Sequence, residues 1–514
     1  MEGLQLSGPN TATLPEKCGT HALISWMLVA ACLVCAAPSV RATAISLTIS
    51  PAAITNDSIG KVTLTITNLT AGKTVNVEWY ADLNTNGIID AGDLLITSFQ
   101  VTDGQVPMVA GLPNLNVPGD EDGLTNGQIR VVSYYPSVAS SIAIGTSLIR
   151  VSDPSDSLTS VTQAFSIMEK FYPQGITGRL TSAGTGLPLT NAVVGLQSLV
   201  GTTLTFKHSD TNGNYSFYCV PGQYEMLGLN DNGTVYNESP IVSVACGQTT
   251  TNNLIITNGT FFIAGRVTDA ATGLGIPAMS VDAGTANGLA VLTFADTNGN
   301  YALQVTANTW HVHPSSGAAA AAGYFDPSRT SVPVTGGSVS NVSFALLRPT
   351  ALIYGTVSDT SNNPVLGIQL SAGNELGRSI VTNGSYCLGV QAGTWSPAPD
   401  NGDLANQGFI VYDTNFLSNG SNVTLVAGQA LNLNYVATRI NWPTLQTPLH
   451  LSSSQFQFVL SGLAGQNYTI QSATNLGVND WLVVLATNLP CDTALILDPH
   501  ATNNARFYRA VVGP

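Results

Sequence analysis

An all-β chain built from tandem β-sandwich modules is what this 514-residue sequence predicts. Three observations carry that expectation. Charged residues make up only 9% of the chain, so the Glu and Lys that solvated helix faces need are scarce. Short runs of Val, Ile, Thr and Tyr alternate with Asn-Gly and Pro-Gly turns, the pattern of strands joined by hairpins. And one segment of the sequence recurs three times in register. A hydrophobic content of 44% argues against wholesale disorder, and the length exceeds what a single core supports.

The recurring segment opens as Ile176-Thr-Gly178-Arg-Leu180, Ile263-Ala-Gly265-Arg-Val267 and Ile353-Tyr-Gly355-Thr-Val357. Each copy then reaches a turn and a tyrosine: Asp210-Thr-Asn-Gly-Asn-Tyr215, Asp296-Thr-Asn-Gly-Asn-Tyr301 and Thr382-Asn-Gly-Ser-Tyr386. Apolar residues alternate after the tyrosine, which puts one strand face in a core. Nine residues past it stand Tyr224, Trp310 and Trp395. Their fixed offset marks them as packing residues rather than a sugar platform. The third copy has Val381 where the others have the turn aspartate.

The Ile-x-Gly-x-Val opening, the Asn-Gly-x-Tyr turn and the closing aromatic strand resemble the carboxypeptidase regulatory-like family, of the type found in secreted bacterial proteins. The resemblance implies a prealbumin-like sandwich, related to carbohydrate-binding folds, for residues 173–258, 259–349 and 350–438. Tandem copies of such a module imply a stalk or spacer. In other proteins these modules accompany a zinc peptidase. None of the six histidines here opens His-x-x-Glu, and no Gly-x-Ser-x-Gly or phosphate-loop motif occurs. Enzyme activity is not expected.

Residues 45–172 predict an immunoglobulin-like module with strands near Lys61–Asn68 and Val75–Tyr80. Residues 439–514 predict a small sandwich resembling fibronectin type III. Within the first lies Asp82-Leu-Asn84-Thr-Asn86-Gly87-Ile88-Ile-Asp90-Ala-Gly-Asp93. Oxygen donors fall at calcium-loop positions 1, 3, 5, 9 and 12, glycine at 6 and the Ile88 carbonyl at 7. The expectation is a calcium ion held by Asp82, Asn84, Asn86, Ile88, Asp90 and Asp93. An Asn/Asp-rich turn bonded to its own backbone is the alternative. His311 and His313 share a strand face; surface histidines without a metal are the preferred reading. The turn aspartates Asp210 and Asp296 are read as hairpin chemistry.

At the N-terminus, Lys17 and His21 precede an apolar run from Ala22 to about Ala37 and then Ala42-Thr43-Ala44. Residues 1–44 thus resemble a signal peptide cut after Ala44. A membrane anchor and a lipoprotein attached through Cys32 are the alternatives. No other segment is apolar enough to span a bilayer. An exported chain keeps Cys219, Cys246, Cys387 and Cys491 where disulfides persist. Four cysteines allow three pairings; Cys219 with Cys246, the only pair within one repeat, is the expected bond. The formal charge of −14 and the lack of a basic cluster exclude a nucleic-acid footprint. The function these features predict is a secreted or cell-surface structural or adhesive protein. A carbohydrate-binding protein or hydrolase accessory subunit is the alternative, with a polysaccharide or another surface protein as partner.

Overall fold

The computed structural model describes residues 44–513 apart from 139–140, 156, 201, 230–235, 238–240, 258, 287, 381, 412–421, 441, 453, 478–479 and 503–504. Residues 1–43 of the expected signal peptide, Cys32 among them, and Val381 lie outside the described residues. Its regular structure is almost wholly strand, with two six-residue helices, Ser316–Ala321 and Asn401–Asn406, among the described residues. None of its helices is long and apolar enough to cross a membrane, which says nothing of a β-barrel.

In the N-terminal module, strands Ser46–Ser50, Gly60–Thr67 and Ile129–Tyr135 form one sheet. Ala53–Thr55, Val161–Met168, Gly145–Ser152, Thr74–Ala81 and Leu94–Thr102 form the other. Alternation along Gly60–Thr67 buries Val62, Leu64 and Ile66 completely, against Val75, Val77 and Phe165 of the facing sheet. The C-terminal module is a smaller sandwich of two three-stranded sheets around Phe458, Leu460, Tyr468 and Ile470.

The three repeats share one device that explains their motif. In the first, the glycine of Ile-x-Gly pairs with the turn tyrosine across two strands, Gly178 with Tyr215. Gly265 with Tyr301 and Gly355 with Tyr386 repeat it. A Cβ on these glycines would sit 1.6, 1.7 and 1.8 Å from the carbonyl oxygens of Asn252, Val342 and Leu433. Those same three carbonyls accept the hydroxyls of Tyr215, Tyr301 and Tyr386. Glycine is required because a third strand's backbone comes in where a side chain would be. The later aromatic acts as a hook: Tyr224, Trp310 and Trp395 donate to the carbonyls of Val220, Thr306 and Gln391, four residues back each time. Tyr224 and Trp310 are buried and Trp395 packs on its core from a half-buried position, so the packing assignment holds.

The linear stalk is corrected by the contacts. In a stalk each repeat touches only its neighbours, yet here distant modules interlock. Thr202 of repeat 1 hydrogen-bonds through its N–H to Asp403 of repeat 3 at 3.1 Å, and Arg378 donates to the Thr202 hydroxyl at 3.2 Å. Asn116, from the N-terminal module, donates to the Leu376 and Cys387 carbonyls of repeat 3, both at 3.1 Å. Gln174 of repeat 1 donates to the Pro490 carbonyl of the C-terminal module at 2.7 Å. Sheet edges are shared as well. Ser141–Ala143 adds in parallel to Leu204–His208 of repeat 1, and Tyr236–Asn237 adds to Leu289–Phe294 of repeat 2. Covering an edge in this way removes a template for unwanted strand pairing.

The disulfide is a second correction. Cys246 bonds Cys491, 245 positions away, with Cα atoms 5.7 Å apart, while Cys219 is free and buried. Cys219 packs in the repeat 1 core at the position Val305 and Val390 fill in the other copies. It is therefore an apolar core residue. Burial pushes its thiol up to about 11, away from the reactive thiolate form.

Candidate functional site

The segment Asp82–Asp93 joins strands Thr74–Ala81 and Leu94–Thr102, so it closes a hairpin rather than linking helices. Asp82 is buried at the end of the first strand. Its two carboxylate oxygens accept the N–H groups of Asn86, at 3.1 Å, and Gly87, at 3.0 Å. Gly87 takes a φ of 73°, the left-handed conformation that the sixth position of such a loop demands. The Asn86 side-chain oxygen accepts from Ile88 N–H at 2.7 Å.

Asp90 is the electrostatic centre. It accepts Gly92 N–H at 2.7 Å, the Asn86 amide at 2.8 Å and the Asn84 amide at 3.1 Å. These bonds, Gly92's first, hold its carboxyl below the usual range. Asp93 accepts Asp90 N–H through one oxygen at 3.0 Å. Its other oxygen is buried and has no hydrogen-bond partner. That orphaned carboxylate oxygen, at position 12, fits a hard cation, as does a donor set made only of oxygens. Asn84 and Asn86 turn their amide N–H groups toward Asp90 here. Rotating each amide by half a turn would present oxygens to a cation instead. Among the described residues no three His, Cys, Asp or Glu side chains gather into a metal cluster. Any ion at this loop would therefore depend on the asparagine oxygens and the Ile88 carbonyl.

The other sequence candidates resolve as follows. His313 is buried with Nδ1 2.9 Å from Asp282, whereas His311 is exposed on the same strand. Asp210 accepts Asn212 N–H and Asn214 N–H, both at 2.8 Å. Asp296 repeats that pattern with Asn298 and Asn300. These aspartates close hairpin turns.

No protein-family model matches the sequence, and no curated protein matches it. Among solved structures, the chain is similar to the Bacillus anthracis TIE protein at 9% identity, covering 77% of this chain and 75% of that one, with a TM-score of 0.17. A Streptococcal ancillary pilin gives 12% identity over 55% of this chain and 93% of that one, at a TM-score of 0.16. The shaft pilin SpaA of Lactobacillus rhamnosus GG gives 10% identity over 34% and 96%, at 0.14. Scores this low carry no argument about function.

Proposed function

We propose that the chain is an exported, non-catalytic structural or adhesive protein whose carboxypeptidase regulatory-like repeats form an interlocked body with their flanking modules. The observation that carries this reading is the bond between Cys246 and Cys491, since a disulfide joining distant modules persists in an oxidising compartment. A groove on repeat 1 supports the non-catalytic half. The one carboxylate lining it, Asp210, has its oxygens taken by the amides of its own turn and its pKa lowered by them, Asn214 first. Such a group is poorly suited to general acid–base work near neutral pH. The purified full chain is expected to leave panels of peptides and glycans uncleaved. Turnover that disappears on replacing a single carboxylate or histidine would contradict the reading. Fractionation is expected to find the chain outside the cell beginning at Ile45; an uncut cytosolic chain would contradict export.

Calcium at Asp82, Asn84, Asn86, the Ile88 carbonyl, Asp90 and Asp93 belongs to the same proposal. Its role would be to tie the hairpin loop and stiffen the N-terminal module. An ion bound only by the folded state adds about 2.7 kcal/mol at a hundredfold excess over Kd. Melting of the full chain is expected to shift upward with calcium over chelator, and an Asp82→Ala, Asp93→Ala double variant is expected to lose the shift. A wild-type midpoint indifferent to calcium would make the loop an ordinary turn.

A further inference from the structure

One outer sheet face of repeat 1 differs from its counterparts in a way the fold does not require. Strand Asn214–Tyr218 buries Tyr215 and Phe217 and turns Asn214, Ser216 and Tyr218 outward. Beside it, strand Gly175–Ser182 presents Thr177 and Arg179 on the same side, paired with Ser216 and Asn214. A groove of about 620 Å³ opens over them, lined by Thr177, Arg179, Asn214, Ser216, Thr251 and Asn253 among others. Tyr218 is the next outward residue after Ser216, about 7 Å further along the strand. It is 40% exposed, and Phe171, 69% exposed, meets it edge to face with ring centroids 4.9 Å apart.

The charges of this region cancel. Lys207 contacts the Glu169 carboxylate at 2.6 Å, and Glu169 also accepts Tyr218 N–H at 3.0 Å. Arg179 lies near enough to Asp210 to lower its pKa. What remains is a floor of hydroxyls and amides beside an exposed aromatic pair. This combination suits a ligand with many hydroxyls and apolar C–H faces.

The other repeats supply the control. In repeat 2 the positions of Thr177, Ser216 and Tyr218 hold Ala264, Ala302 and Gln304, in the same strand register. In repeat 3 they hold Tyr354, Cys387 and Gly389, and Asn114 and Asn116 of the N-terminal module cover that face. Arg179, Asp210 and Asn214 recur in repeat 2 as Arg266, Asp296 and Asn300, where they hold the same turn. The hydroxyls and the aromatic pair are what repeat 1 adds.

We propose that this face of repeat 1 binds a neutral glycan, with Tyr218 and Phe171 as the stacking platform and Thr177, Ser216 and Thr251 as hydroxyl partners. The site goes beyond the structural role above and does not depend on it. The test is affinity electrophoresis and calorimetry of the full chain with soluble β-glucan, xylan, galactomannan and α-glucan, beside uronate-rich polysaccharides. Wild type is expected to bind at least one neutral polymer. Tyr218→Ala and Phe171→Ala are expected to weaken binding by roughly tenfold without moving the melting midpoint. Gln304→Ala, at the matching place in repeat 2, is expected to leave binding unchanged. Wild type that binds no neutral polymer, or only the uronate polymers, would overturn the proposal. So would affinity retained in Tyr218→Ala.

Discussion

Repeats 1 and 3 carry the same sandwich and the same glycine–tyrosine register, yet they use one sheet face in opposite ways. In repeat 1 the face is open and lined with Thr177, Ser216 and Tyr218. In repeat 3 it is closed, with Cys387 buried beneath Asn114 and Asn116 of a module some 270 residues away. The shared motif therefore specifies only the inside of each sandwich. Residues one position either side of it decide whether the outside meets solvent or another module. Contacts with the N-terminal module fall on this face in repeat 3, and the matching face of repeat 1 stays open to solvent.

Substitutions can press on that contrast. The largest effect is expected where repeat 3 meets repeat 1. Arg378 and Asp403 are both buried, 3.2 Å apart, and both contact Thr202. Arg378→Ala would leave Asp403 buried without its counter-charge and is expected to cost about 4 kcal/mol in denaturant unfolding. A loss under about 1 kcal/mol, the range of exposed pairs, would mean that the junction is wet and the modules sit apart.

Next comes the edge strand of repeat 3. Burial, and then the neighbouring Asp326 carboxylate, push the Glu375 carboxyl up to about 8, although Asp326 N–H donates to it at 2.9 Å. The Asp326 carboxyl, buried beside His313 and Asp282, is also raised. An acid whose folded pKa exceeds its unfolded value holds a proton that the unfolded chain releases. Stability is then highest below the unfolded value of 4.5 and falls as pH rises toward 8. Glu375→Gln is expected to flatten that decline and to gain on the order of 3 kcal/mol at pH 7. Parallel melting curves for wild type and variant from pH 4 to 8 would contradict the buried placement of Glu375.

The smallest effect is expected on the open face of repeat 1. Thr177→Ala and Ser216→Ala each replace a side chain that lines solvent, and each is expected to stay within about 0.5 kcal/mol of wild type. A loss of 2 kcal/mol or more would show that another module covers this face too.

How far the sequence revealed all this follows the same division. The all-β class and the three copies were legible because the motif encodes interior needs that recur: a glycine under a carbonyl, a tyrosine bonded to it and an aromatic hook. The hydrophobic alternation of Gly60–Thr67 announced the first sandwich just as directly. The junctions were not legible, since Gln174 is matched by Phe261 and Ala351 in the other copies, Asn116 lies in a module outside the repeats, and neither they nor Thr202 follow a periodicity. The cysteines misled for a related reason. Cys219 and Cys246 are neighbours within one repeat, but Cys246 faces a residue of another module and Cys219 faces its own core. At the Asp82–Asp93 loop the spacing was legible. The rotation of Asn84 and Asn86 toward Asp90, which decides what oxygens an ion would meet, is not written in spacing.

The interlocking of modules is tested most directly by non-reducing peptide mapping of the full chain. Cysteines separated by 245 positions can bond only if repeat 1 and the C-terminal module lie side by side, because a disulfide needs Cα atoms within about 7 Å. The expected result is one cross-linked peptide pair containing Cys246 and Cys491, with Cys219 and Cys387 recovered as thiols. A bond between Cys219 and Cys246, or four free thiols in protein purified without reductant, would contradict it.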